Sequence, residues 1–96
     1  MKVTWSPPAI QDRLSIWFWI SSENHAAAIH MESLFDAAAD RLANHPELGK
    51  PGEIPGSREL VVHESYRLVY EFDPQREEVE ILTLSHTHRQ WPPLKR

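Results

Sequence analysis

Three arginines and three histidines, Arg58, Arg67, Arg89, His63, His86 and His88, are the side chains of this chain best suited to chemistry on a phosphate. A guanidinium offers a fixed fork of donors and keeps its charge at any physiological pH, so three of them meeting on one surface would form a phosphate-sized site. Imidazoles can take and return a proton near neutrality, and His63, His86 and His88 could serve as general acid or base there, although no spacing places them beside the arginines. A second reading is equally open: Arg58 and Arg67 pair with Glu59, Glu71 or Glu80 on neighbouring strands as solvated cross-strand pairs. The His86-Thr87-His88 repeat puts two imidazoles on one strand face. With no cysteine and no evident third ligand it is read as polar tail residues, and neither a metal nor a cofactor is expected. Ser57, Ser65 and Ser85 lack the glycine context of a nucleophile elbow, and no glycine loop suited to cradling phosphate is present.

The elements that must position these groups follow from periodicity. Residues 58–62, 66–72 and 79–84 are β-branched or aromatic at alternate positions, the period-two pattern of strands with one face in a core. Short connectors at 63–65 and 73–76, the second with Asp73-Pro74, make them an antiparallel meander. Arg67 alternates with Tyr66, Leu68, Tyr70 and Phe72, so it points away from whatever those four pack against. Arg58 shares that outward choice only if its strand's register cooperates, and Arg89 lies on the tail beyond the last strand.

Upstream, Lys2-Val3-Thr4-Trp5 reads as a further strand of the same sheet. Ser6-Pro7-Pro8 starts a helix that runs to about Ser21, with Ser6 capping free amides and Pro7 in the first turn. Ile10, Leu14, Trp17 and Ser21 form the stripe expected to face the core. Ile16, Phe18, Trp19 and Ile20 lie around the rest of the cylinder. Such an excess of apolar surface calls for a protein partner, or for neighbouring loops against Phe18 and Trp19. A second helix runs from about His25 or Ala26 to Leu42-Ala43, and Pro46 ends it. Residues 46–57 hold all three glycines and are read as a crossover to the sheet with Lys50 exposed on it. Trp5 is assigned to packing, as is Trp91 folded back on the sheet edge. The expected fold class is α+β: a single domain over 1–96, with a two-helix hairpin on one face of a small antiparallel sheet in the order β-α-α-β-β-β.

Composition narrows the function classes. With ten basic against fourteen acidic residues the formal charge is −4, so general attraction to nucleic acid is not supported and any such contact must be local. The absence of cysteine excludes disulfides and thiolate metal sites and is compatible with a reducing cytoplasm. The longest apolar run, 16–20, is far short of the ~20 residues a membrane span needs, and the first residues carry no signal-peptide pattern, so a cytoplasmic protein with no membrane partner is expected.

Arg58-Glu-Leu-Val-Val, Tyr66-Arg-Leu-Val-Tyr, Val79-Glu-Ile-Leu and the closing His86-x-x-Arg89-x-Trp91-Pro92, preceded by the loop 46–56, together resemble the RelE/ParE superfamily of bacterial toxins. The resemblance spans nearly the whole chain and is closest to the ParE branch, through Pro46-Glu-Leu-Gly, residues 55–62 and the tail. It implies the toxin of a type II toxin–antitoxin pair that inhibits DNA gyrase without catalysis of its own, blocking replication and arresting growth, as in plasmid-stabilisation systems. Arg67, Arg89, Gln90 and Trp91 would touch the target. A cognate antitoxin would wrap the toxin with a segment disordered when free and cover Trp17, Phe18, Trp19 and Ile20. The alternative is the RelE branch, whose members cleave messenger RNA on the ribosome with basic side chains on the sheet face. There Arg67 and Arg89 match two arginines and Arg58 a lysine position, with His86 and His88 available for proton transfer. Against it, Leu60 stands where a second basic residue is expected and no tyrosine follows Arg89. A third possibility is a family member that only binds its antitoxin. Whether the chain is an enzyme depends on the branch.

Overall fold

The computed structural model describes residues 1–87. The chain runs through β1 (Lys2–Trp5), α1 (Pro7–Ser21), α2 (His25–Asn44), β2 (Lys50–Pro51), β3 (Arg58–His63), β4 (Tyr66–Asp73) and β5 (Glu78–His86). The helix starts follow their capping residues. The Ser6 hydroxyl accepts the Ala9 N–H at 3.2 Å, with prolines in the first turn, and the Asn24 side chain accepts the Ala27 N–H at 3.0 Å.

One five-stranded sheet forms in the order β1-β5-β4-β3-β2. The expected meander of β3, β4 and β5 is present, but the sheet is mixed rather than antiparallel throughout. β1 pairs β5 in parallel, with Lys2 opposite Glu78 and Trp5 opposite Ile81. A parallel pair needs a long connection, and here the helical hairpin and the whole meander intervene. The loop 46–57 is also more than a crossover. Lys50 and Pro51 pair with Glu59 and Arg58 as a short edge strand, the place in a sheet where proline is tolerated.

The core lies between the hairpin and one sheet face, where Phe35, Leu42 and Ala38 of α2 meet Tyr66, Leu68, Tyr70, Val79, Ile81 and Leu84. Here α1 corrects the sequence reading. Its buried residues are Ala9 and Ile16, with Ile20 packed beside them, whereas Ile10 (55% exposed) and Leu14 (47%) are on the outside. Ala9 and Ile16 are two turns apart and Ile20 one turn further, an equally good helical stripe. Its side is set by the bonds from Ser6 and Asp12 to β5. Trp17 is half-buried, with its ring edge-on to His25 at 5.4 Å.

The last two strands differ from simple alternation. Val69 pairs with Thr83 but Tyr70 with Ile81, so Leu82 is an extra residue in β5 and a bulge forms. The bulge is tied to the start of α1: Ser6 donates its hydroxyl to Leu82 O at 2.9 Å, and Asp12 accepts the Leu84 N–H at 3.1 Å.

Candidate functional site

Strand register assigns each charged side chain to a sheet face. Tyr70, the partner of Arg58, and Leu68, the partner of Leu60, face the core. Glu59, Val61, Arg67, Glu71, Asp73, Glu78 and Glu80 therefore share the opposite face with Lys2 and Lys50. Arg67 thus points away from the helices, as its alternation predicts. Arg58 does not join it. Its Nη1 donates to Gly49 O at 2.7 Å, and its guanidinium carbon lies 5.9 Å from the centre of the Phe72 ring. Arg58 is a clasp on the loop, and the reading in which it meets Arg67 on one open face is corrected by this register.

Arg67 is itself engaged. Its Nη1 lies 3.6 Å from Glu59 Oε1 and its Nε donates to Ser85 Oγ at 3.2 Å. This is the cross-strand pairing that the sequence left as one of two readings. Among the described residues of this face, five carboxylates accompany three cations, so the local field is negative and unfavourable to a polyphosphate chain. His86 stacks edge-on to Tyr66 at 5.3 Å, and His63 Nδ1 accepts the Ser65 N–H at 3.1 Å. Both imidazoles are at the β3–β4 end of the sheet. His88, Arg89, Gln90 and Trp91 lie outside the described residues. No group of three or more His, Asp or Glu among the described residues could hold a metal.

A second surface lies along α1. Ile10, Leu14 and Trp17 form one wall of an open groove of about 810 Å³, completed by Thr4 and Trp5 of β1 and by Arg13 and Glu32. Arg13 lies along the groove, and its Nε donates to Glu32 at 3.1 and 3.2 Å, its Nη2 to Asp36 at 2.7 Å, and its guanidinium lies 4.6 Å from the Trp5 ring centre. Burial works against the Arg13 charge, but the hydrogen bonds to Glu32 and Asp36 outweigh it and hold the group above its ordinary value. Phe18 (65% exposed) and Trp19 are on the surface nearby. Of the four residues predicted for an antitoxin, Ile20 packs on the core. The stripe assigned to the core, Ile10-Leu14-Trp17, is the one that lines the groove. Nothing in the helical spacing distinguished the two stripes; the tie to the β5 bulge through Asp12 did.

The sequence matches, over residues 3–91, the family model described as the ParE toxin of type II toxin–antitoxin system, parDE. The chain belongs to the ParE toxin family. A protein of Sinorhizobium fredii named as toxin Y4kP is 34% identical over 92 residues, covering 95% of this chain and 93% of that one. Solved structures share the fold. The chromosomal ParDE toxin–antitoxin system of P. aeruginosa superimposes with a TM-score of 0.76 at 19% identity, over 90% of this chain and 95% of that one. The RelBE2 toxin–antitoxin complex of Mycobacterium tuberculosis gives 0.64 at 22% identity, over 92% of each. The YoeB/ParE toxin of Agrobacterium tumefaciens gives 0.67 at 16%, over 92% of this chain and all of that one. The expected superfamily and the helical hairpin on a sheet are thereby established. As a ParE-family toxin the chain is a member of the RelE/ParE superfamily, and among its described residues no helix is long and apolar enough to cross a membrane.

Proposed function

We propose that this ParE-family toxin acts in the cytoplasm on DNA gyrase, holding the enzyme with its DNA cleaved, and that it is not a ribosome-dependent nuclease. The observation that carries this reading is the charge of the sheet face away from the helices. Cleaving RNA there would need uncompensated cations around a scissile phosphate. Instead Arg67 is paired with Glu59 and Arg58 is spent on the loop carbonyls. A protein target tolerates such a face, and Arg67 with the tail residues Arg89, Gln90 and Trp91 is its contact surface.

The cognate antitoxin is the partner that covers α1. Ile10, Leu14 and Trp17 in the groove, with Phe18 and Trp19 beside it, offer the apolar anchors that an amphipathic segment ordering on binding requires. The purified toxin should abolish gyrase supercoiling and accumulate cleaved DNA, and adding the antitoxin should reverse both. Messenger RNA cut on ribosomes with gyrase untouched would make it a RelE-like nuclease. Inactivity in both assays would leave a member that only binds its antitoxin.

A further inference from the structure

Glu59 is a carboxylate only 8% exposed, on β3 next to the edge strand, on the sheet face that faces away from the helices. Its two oxygens are unequally served. Oε2 accepts the Glu53 N–H at 3.2 Å, whereas Oε1 has Arg67 Nη1 at 3.6 Å, beyond good hydrogen-bonding distance. The loop before β3 is packed onto it: a Cβ at Gly52 would come within 3.1 Å of Glu59 Oε2 and 2.7 Å of Ser57 Oγ. Desolvating a carboxylate costs more than one backbone hydrogen bond and a loose ion pair return, so stability is a poor reason for its being there. What the pair does achieve is electrostatic. Arg67 has Nε on Ser85 Oγ and turns Nη1 toward Glu59, which places a protein carboxylate where an external anion would otherwise meet the fork.

We infer that Glu59 is a built-in counter-ion that closes Arg67 to phosphate, and so is the residue that decides which class of partner this face accepts. With a carboxylate at position 59 the face rejects single-stranded nucleic acid. With an uncharged side chain there, Arg67 becomes a free phosphate-binding fork beside Lys50, which sits opposite position 59 in the register. The inference rests on the proposed protein target.

The test is fluorescence anisotropy of a labelled single-stranded oligoribonucleotide at low salt, with wild type, Glu59→Gln, Glu71→Gln and the double variant Glu59→Gln/Arg67→Ala. Gln keeps the shape of Glu59 and an acceptor for the Glu53 N–H, and Glu59→Met, of similar length and uncharged, serves if the Gln variant melts early. Glu59→Gln should bind on the order of ten-fold more tightly than wild type. Glu71→Gln, which removes one charge from the same face without touching Arg67, should change binding far less, and the double variant should return to the wild-type level. No gain in folded Glu59 variants, an equal gain in Glu71→Gln, or a gain that survives loss of Arg67 would overturn the inference. Wild type assayed on gyrase in parallel separates the two ideas. Inactive gyrase inhibition with the expected binding pattern removes the target assignment and leaves the role of Glu59 standing, and the reverse outcome removes only the role of Glu59.

Discussion

Asp12 on α1 accepts the backbone N–H of Leu84 at 3.1 Å and the hydroxyl of Thr83, at the point where β5 bulges away from β4. A bulge takes a backbone donor out of the ladder, and a donor inside the fold must find another acceptor. Asp12→Ala should therefore destabilise the protein by about 2–3 kcal/mol, read as a lower denaturation midpoint, because it removes a charged acceptor and strands an amide. Asp12→Asn, which keeps an oxygen in place, should recover about half of the loss.

The two faces of α1 should respond oppositely to substitution. Leu14→Glu alters a residue that is half outside the fold and lines the groove, so the toxin should keep its melting temperature while antitoxin binding measured by calorimetry falls at least about ten-fold. Ile16→Ala, at a position 1% exposed, should instead cost about 2–4 kcal/mol of stability and leave antitoxin affinity of the folded protein unchanged.

The sequence placed α1, α2 and the three-strand meander within a residue or two, because capping residues, helical spacing and alternation are local signals. It put Ile10, Leu14 and Trp17 on the core side and Ile16 and Ile20 outside, because Ile10-Leu14-Trp17 and Ala9-Ile16-Ile20 have the same period. Only the long-range bonds from Ser6 and Asp12 to β5 fix the rotation of the helix. The face of Arg67 was legible from alternation within its own strand. That of Arg58 was not, since it depends on a cross-strand register, Arg58 opposite Tyr70, that no local pattern encodes. The parallel pairing of β1 with β5 and the short strand at Lys50–Pro51 are likewise products of contacts distant in sequence.

Arg13 ties three elements together through Glu32, Asp36 and the Trp5 ring. Truncation to alanine should cost about 2 kcal/mol, with the Asp36 contribution reduced by its exposure. Lysine should restore only part of this, lacking the planar fork that engages Glu32 while lying against Trp5. Because the Arg13 charge is held above its ordinary value, its contribution is complete at every pH below that ordinary value and is lost only in stronger alkali. Thermal melts of the two variants against wild type measure both effects.

Tyr70 donates its hydroxyl to Pro46 O at 2.6 Å and accepts the Gly49 N–H at 2.9 Å, pinning the loop before β2. Burial pushes its phenol above the ordinary 10.0, against the opposing pull of the Gly49 N–H and Arg58. A raised folded value means that the unfolded chain ionises first. The stability contribution is therefore whole below pH 10.0 and declines as pH rises from there through the folded value. Tyr70→Phe should cost about 1–3 kcal/mol at neutral pH by leaving two backbone groups without their partner, and should flatten the alkaline decline seen in wild type. Denaturation midpoints across the alkaline range check both.

Inducing the toxin without its antitoxin and scoring two lesions in one culture shows whether the sheet face bearing Arg67 meets a protein or a phosphate chain. Gyrase-linked breaks in plasmid DNA should rise within the first minutes of growth arrest, with ribosome-bound messenger RNA left uncut. Messenger cleaved on ribosomes while gyrase-linked breaks stay at the uninduced level would contradict the protein target.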